Sequence, residues 1–147
     1  DPQSPNIIAP GKRPAHTLNA FTAVRADGSL YLVGGTPGAN IQVQTNLQLL
    51  VNVIDLKMNV QEATEAPRWQ HLNAPGQSSD EEKGLGVLEI ENRVATAVLD
   101  ELRAKGHEVR PLAAWGHGSS VQMMEVLANG TFAFGSDPRC EGHASGV

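Results

Sequence analysis

A glycine-rich stretch at residues 33–40 (VGGTPGAN) is the part of this sequence whose residue types and spacing best suit chemistry. It follows a short apolar run, residues 30–33, that is typical of a β-strand, and it precedes an amphipathic segment at residues 41–54. Glycine has no Cβ, so a turn of this kind lets the backbone approach a ligand closely and adopt positive φ. The first amides of a following helix have no intrahelical partner. The turn is therefore a predicted cradle for negative charge, which a phosphate, a carboxylate or the oxyanion of a tetrahedral intermediate would each supply.

Nucleotide phosphate is the first of these ligands to test against the sequence. The stretch has neither the G-x-G-x-x-G spacing nor the G-x-x-x-x-G-K-[ST] ending of the two common nucleotide-binding loops. A plain strand-to-helix turn without a ligand has the same composition. The loop alone therefore leaves its role open.

The histidines and the single cysteine show no catalytic or metal-binding pattern. The chain contains five histidines, none in an i, i+4 pair and none with zinc-site spacing, so that we expect surface or loop positions for them: His16, His71, His107, His117 and His143. His16 differs slightly, because it lies in a polar run just before a predicted strand. Residues 116–120 (GHGSS) lack the G-x-S-x-G pattern and no helix follows, so they predict a turn that enters a strand. Cys140 is predicted to be a free surface cysteine.

Two charged positions lie at predicted breaks in the chain. Arg68 follows Pro67 and precedes Trp69, where it could dock a carboxylate or seal a helix end. Asp137 and Arg139 flank a proline and could form a turn held by its own ion pair. We favour the structural interpretation for both.

Turn and cap signals define the first half of the predicted fold. Residues 21–24 and 29–33 are strand-like, and Asp27-Gly28 between them is typical of a tight hairpin. Helical spacing of apolar residues covers 41–54. A second, short helix is predicted to begin after Asn59, with Glu62 completing a capping box, and to end near Ala66 because proline follows.

The second half continues with strands and one helix. Residues 73–86 are polar, include the acidic run 80–82 and predict a mobile loop. A strand is expected at 87–90, and Val94, Val98 and Leu102 mark one face of a helix that ends near Gly106. Strands are then expected at 108–112, 119–127 and 131–134, with a hairpin turn between the last two. This order predicts a layered α+β domain.

Composition limits the class of protein. At 147 residues, with 40% hydrophobic and 18% charged residues, the sequence predicts one globular domain, residues 1–147, with a proline-rich extended lead-in at 1–14. The net charge of −5 argues against a nucleic-acid partner. No apolar run approaches the roughly 20 residues that cross a bilayer.

Five short motifs occur in a fixed order and give the sequence a family resemblance. They are residues 11–14 (GKRP), 35–39 (GTPGA), 59–63 (NVQEA), 66–69 (APRW) and 135–139 (GSDPR). Together they resemble the C-terminal part of the small subunit in the gamma-glutamyltransferase family, over nearly the whole chain. The resemblance implies an α+β N-terminal-nucleophile hydrolase fold, a four-layer α-β-β-α sandwich of which this chain is a C-terminal portion. It implies no metal or organic cofactor.

Members of that family are proenzymes that cleave themselves into a large and a small subunit. The new N-terminal threonine is both nucleophile and base, since its own α-amino group activates its hydroxyl. This chain begins with Asp1, so we expect the nucleophile to lie upstream and the chain to be inactive alone. The expected partners are the large subunit, the upstream part of the small subunit and a small gamma-glutamyl or amide substrate.

The resemblance also assigns roles to four residues. Gly38 and Ala39 match the residues whose amides form the oxyanion hole, although a second glycine is usual where Ala39 stands. That alanine is strained only if the position needs positive φ. His16 and Thr17 stand where two serines usually bind the glutamyl α-carboxylate, a variation similar to that in the branch containing oxamate amidohydrolase. A gamma-glutamyl enzyme, an oxamate-type amidohydrolase and a non-catalytic relative therefore remain as alternatives.

Overall fold

The computed structural model describes residues 3–14, 16–72 and 86–145, and within them the chain alternates strands and helices. The elements in order are β1 (Phe21–Val24), β2 (Leu30–Gly35), α1 (Gln42–Ile54), α2 (Val60–Glu65), β3 (Trp69–Leu72), β4 (Val87–Glu91), α3 (Thr96–Ala104), β5 (Glu108–Leu112), β6 (Gln122–Val126) and β7 (Phe132–Ser136). A 3₁₀ turn, Ala39–Ile41, leads directly into α1. The predicted acidic loop at 73–86 lies, apart from Gly86, outside the described residues.

An antiparallel sheet in the order β1-β2-β6-β7 carries the main core. Helices α1 and α2 pack against one face of this sheet, and their buried apolar side chains meet those of the strands: Leu32, Leu49, Val53, Val60, Ala63, Val121 and Met123. Helix α2 lies so close to β7 that a Cβ on Gly135 would come within 2.3 Å of the Val60 carbonyl oxygen. This glycine is therefore required by the close packing of helix on strand.

The local signals in the sequence are confirmed. Gly28 has φ 83°, and the Asp27 carboxylate accepts a hydrogen bond from the Ser29 amide, so this turn joins β1 to β2 as predicted. At the start of α2, the Asn59 side chain accepts from the Glu62 amide while the Glu62 carboxylate accepts from the Asn59 amide. Both features form because each depends on residues only three or fewer positions apart.

Helix α1 has its most apolar stripe directed away from this core. Val43 is 65% exposed and Leu47 is 56% exposed. The buried residues of the helix are two apolar ones, Leu49 and Val53, and three polar ones, Gln42, Thr45 and Asn46. Helical spacing thus predicted the helix, but of its apolar residues Val43 and Leu47 face away from the described sheet, while Leu50 packs against the core.

A second sheet, in the order β3-β4-β5, joins the antiparallel pair β3-β4 to the parallel pair β4-β5. Strand β3 was not predicted. Two glutamines one helical turn apart on α1 pair with its free edge: Gln44 exchanges two hydrogen bonds with the His71 backbone, and Gln48 does the same with Trp69. These side chains act as a substitute strand and cover an edge that would otherwise be open.

Two further predictions are refined by the structure. Residues 3–14 form no helix or strand, but they turn twice, at Ser4 and at Ala9, so the described part of the lead-in does not run straight. Strand β6 is shorter than predicted, because residues 119–121 bond to buried side chains and not to a neighbouring strand. In the described part of the chain, no helix has the length and apolarity to cross a bilayer.

Candidate functional site

The loop between β2 and α1 has the backbone geometry of a close-approach turn. Gly38 has φ 139°, and a Cβ at this position would lie 2.8 Å from Ile41 Cγ1, so glycine is needed here on two grounds. Ala39 has φ 47°, which is the left-handed region. Alanine at such a position carries roughly 1–2 kcal/mol of strain. Ala39 was expected to be strained only if its position needs positive φ, and the structure shows that it does.

The amides of Gly38 and Ala39 form no hydrogen bond with another backbone group in the described part of the chain. The Gly38 carbonyl, by contrast, accepts from the Ile41 amide at 3.0 Å, which closes the 3₁₀ turn. Two consecutive free amides at the start of a helical run are suited to an anion, because the peptide dipoles of the run add to their partial positive charge.

A cavity of about 470 Å³ lies beside this loop. Its wall is formed by two segments that are distant in sequence: His16, Thr17, Leu18, Asn19, Ala39, Asn40, Gln42 and Val43. Three of the four predicted site residues therefore share one cavity, and Gly38 immediately precedes the third. The Asn46 side chain donates to the Asn19 carbonyl at 2.7 Å, which ties the first segment to α1.

The cavity wall combines polar and apolar side chains and carries no carboxylate in its described residues. Imidazole and hydroxyl groups from His16 and Thr17 can both donate hydrogen bonds to an anion. The side-chain oxygen of Gln42 is buried without a hydrogen-bond partner in the described structure. His16 and Thr17 can therefore hold the negative end of a small ligand against the free amides of the loop, whereas the Gln42 oxygen can only accept from a donor group.

A buried ion cluster lies behind the loop, and sequence reasoning found only part of it. Arg68 contacts Asp137 at 2.5 Å, and Arg139 contacts Glu91 at 2.6 Å and Asp137 at 3.0 Å. The predicted ion pair within the 137–139 turn is confirmed. Arg68, which follows the C-terminal end of α2 and donates to the Thr64 carbonyl at 2.7 Å, joins the same cluster.

Burial and pairing act against each other on these charges. Burial alone would raise the pKa of Glu91, but hydrogen bonds from Arg139 and Arg93 outweigh it and hold that pKa below its usual value. Burial lowers the pKa of Arg68, and the Asp137 carboxylate offsets part of this change. The Glu91 carboxylate therefore stays ionised, and the cluster forms a fixed charged support inside the protein.

His117 lies in a loop, as expected, but it is buried there, at 4% exposure. Its Nδ1 lies 2.7 Å from the hydroxyl of Ser119. Burial, together with the nearby Arg68 cation, lowers the pKa of His117 to about 4, so the ring is neutral at pH 7. The Ser119 hydroxyl is itself buried and lies 3.2 Å from Arg68 Nη1, so this serine–histidine pair belongs to the internal support.

The fold places the chain among the N-terminal-nucleophile hydrolases. A gamma-glutamyltranspeptidase from Pseudomonas nitroreducens, solved in complex with L-DON, superimposes with a TM-score of 0.72 at 26% identity, and the match covers 99% of this chain and 69% of that chain. The predicted α+β fold is thereby confirmed. The described strands and helices supply one helical layer and one sheet of the sandwich, together with the smaller β3-β4-β5 sheet.

The chain belongs to the gamma-glutamyltranspeptidase family, whose model matches residues 1–147. It is 37% identical to the oxamate amidohydrolase proenzyme of Klebsiella pneumoniae subsp. pneumoniae over 99% of its own length and 26% of that protein. It is also 37% identical to the glutathione hydrolase proenzyme of Escherichia coli K12, over 91% of its own length and 21% of that protein. The chain thus spans about a quarter of the length of these curated relatives.

Proposed function

We propose that this chain forms the oxyanion-binding and acyl-binding side of a self-processing amide hydrolase or gamma-glutamyl transferase. One observation carries the proposal: His16 and Thr17 share a cavity with Ala39, beside two free amides. A hydrolase of this class needs a group that binds the substrate carboxylate and a donor to the oxyanion, and the distance between them must match the length of one small acyl group.

The chemistry assigned to this site is acyl transfer. The hydroxyl oxygen of a threonine outside this sequence attacks the amide carbon, and the carbonyl electron pair moves onto oxygen. The amides of Gly38 and Ala39 then donate to that oxyanion, each typically contributing a few kcal/mol to lowering the barrier. The threonine proton passes through its α-amino group to the leaving nitrogen, and water or an amine acceptor later releases the acyl group.

The substrate class follows from His16 and Thr17. A carboxylate bound at these side chains fits the α-carboxylate of a gamma-glutamyl group, which is our first proposal. It also fits the shorter carboxylate of an oxamate-type amide, which is the second. The second is favoured specifically by the replacement of the usual serine pair and is supported by the similarity to the oxamate amidohydrolase proenzyme.

The remainder of such an enzyme would cover two exposed apolar surfaces of this chain. One is the outward stripe of α1, where Val43 and Leu47 are more than half exposed. The other is the outer face of the β1-β2-β6-β7 sheet, where Phe132 is 58% exposed and Phe134 is 41% exposed. We propose that the large subunit and the upstream part of the small subunit pack here, since patches of this kind mark interaction sites. The 147 residues are then one portion of a single layered domain.

The test is a substrate panel on the complete, self-processed protein. Release of p-nitroaniline from a gamma-glutamyl p-nitroanilide, with transfer to a dipeptide, supports the first substrate class. Ammonia release from oxamate without gamma-glutamyl turnover supports the second. Activity toward neither, in a protein that has cleaved itself, contradicts the proposed function.

A variant pair connects the result to the cavity. His16→Ser should change KM for the active substrate by about tenfold or more, because it alters polar groups that the substrate carboxylate would pair with. His107→Ser, the same change at an exposed position outside the cavity, should leave KM within about twofold. Equal effects of the two variants on KM would show that His16 does not bind the substrate carboxylate.

A further inference from the structure

Thr36 lies at the entrance of the loop and is largely buried, with 9% exposure. Its hydroxyl donates to the Pro37 carbonyl at 2.7 Å and accepts from the Ser120 amide at 3.1 Å. The first partner belongs to the loop itself, and the second lies in the segment that precedes β6. One hydroxyl therefore joins two chain segments through fixed backbone groups.

The same segment, residues 118–120, packs beneath the loop. A Cβ built on Gly38 would lie 3.7 Å from Ser119 Cβ, which is ordinary van der Waals contact. A Cβ built on Gly118 would lie 3.7 Å from Ile41 Cδ1, at the other end of the 3₁₀ turn. Residues 118–120 thus form a floor under the turn that runs from Gly38 to Ile41.

This floor is held by the buried ion cluster. Arg68 Nη1 donates to the carbonyl and hydroxyl of Ser119, at 3.3 and 3.2 Å. The Val121 amide donates to Asp137 at 2.8 Å, and the Asp137 amide donates back to the Val121 carbonyl at 3.2 Å. The ion cluster therefore holds the floor in place, and the Thr36 hydroxyl links the loop to the floor.

We infer that Thr36 is a positioning residue, whose hydroxyl sets the place of the Gly38 and Ala39 amides relative to the acyl group. This inference rests on the proposed function. Because Ala39 is in the left-handed region, its conformation persists only if the surroundings hold it there. An oxyanion donor acts only within hydrogen-bond distance of the developing charge, and a displacement near 1 Å costs on the order of 100-fold in rate.

The test compares Thr36→Val with Thr36→Ser in the complete, self-processed protein. Valine keeps the shape and removes both hydrogen bonds, whereas serine keeps the hydroxyl. Rapid mixing with the acyl donor that the wild type uses, gamma-glutamyl p-nitroanilide or oxamate, separates the acylation rate constant from the dissociation constant of the donor. Thr36→Val should lower the acylation rate constant about 10- to 100-fold and change the dissociation constant by less than about threefold. Thr36→Ser should restore the rate constant to within about threefold of the wild-type value.

The burst amplitude serves as the folding control, since it counts active sites and a misfolded fraction lowers it without changing the rate constant. Thr96→Val, at an exposed position of α3, is the matched substitution and should leave both quantities unchanged. An unaltered acylation rate constant in Thr36→Val, with an active wild type, overturns this inference alone. A wild type that turns over neither donor overturns the proposed function and this inference with it.

Discussion

Asp137 offers the sharpest test of the internal support, through the substitution Asp137→Asn. Its carboxylate is fully buried and accepts four hydrogen bonds: from Arg68 Nη1 at 2.5 Å, from the Val121 amide at 2.8 Å, and from the amide and Nη1 of Arg139, both at 3.0 Å. Asparagine keeps one of the two acceptor oxygens and places an NH₂ group against donors at the other. It also removes the negative charge that compensates Arg68.

The magnitude follows from burial. Removing one partner of a buried ion pair costs about 3–5 kcal/mol, because the remaining charge stays buried without compensation. For a protein of this size, each kcal/mol lowers the melting temperature by about 2–4 °C, so a fall of roughly 6–20 °C is expected. Urea denaturation followed by far-UV circular dichroism measures the loss of unfolding free energy directly.

Asp100→Asn is the matched control for this measurement. Asp100 also pairs with an arginine, Arg103, at 2.9 Å, but both side chains are exposed, at 64% and 44%. An exposed pair of this kind contributes at most about 1 kcal/mol. If Asp137→Asn lies within about 1 kcal/mol of the wild type, or of Asp100→Asn, the cluster is not the support described here.

Two further predictions concern pH and strain. The unfolded His117 ring binds a proton near pH 6.5 and the folded ring only near pH 4, so the free energy of unfolding should fall by up to about 3 kcal/mol as pH decreases through this window. In denaturant titrations at several pH values, His117→Gln should remove that part of the pH dependence. An unchanged dependence of the unfolding free energy on pH in this variant would refute the prediction. Ala39→Gly should raise the unfolding free energy by up to about 1 kcal/mol, because glycine adopts the left-handed conformation without strain. The control Ala97→Gly, at an exposed position within α3, should lower the unfolding free energy by about as much. A loss of stability in Ala39→Gly would show that the loop is not strained.

Local features of this fold could be read from the sequence because their causes are local. The hairpin at Asp27-Gly28 and the capping box between Asn59 and Glu62 each involve neighbouring residues, and both are present. Strand β3 escaped prediction because its four residues, WQHL, show no alternation of apolar and polar side chains. It is specified by its partners: β4 on one edge, and Gln44 and Gln48 of α1 on the other.

The orientation of α1 illustrates a different limit. Spacing of apolar residues predicted that the segment is helical, but much of the apolar stripe does not pack on the described sheet. Leu49 and Val53, together with polar residues, fill the core, while Val43 and Leu47 face outward. Periodicity reports that a helix has an apolar face and does not report which neighbour covers it.

By itself, the sequence determined the order of most elements, the turns and the family resemblance that named Gly38, Ala39, His16 and Thr17. The tertiary structure decided which of these residues meet: His16 and Thr17 line one cavity with Ala39. It also decided that Arg68, Glu91 and the Asp137–Arg139 turn, from three separate segments, form one buried cluster behind the loop. The physical reason is that turns and caps depend on hydrogen bonds between near neighbours, whereas cavities and buried ion clusters depend on segments that only folding brings together.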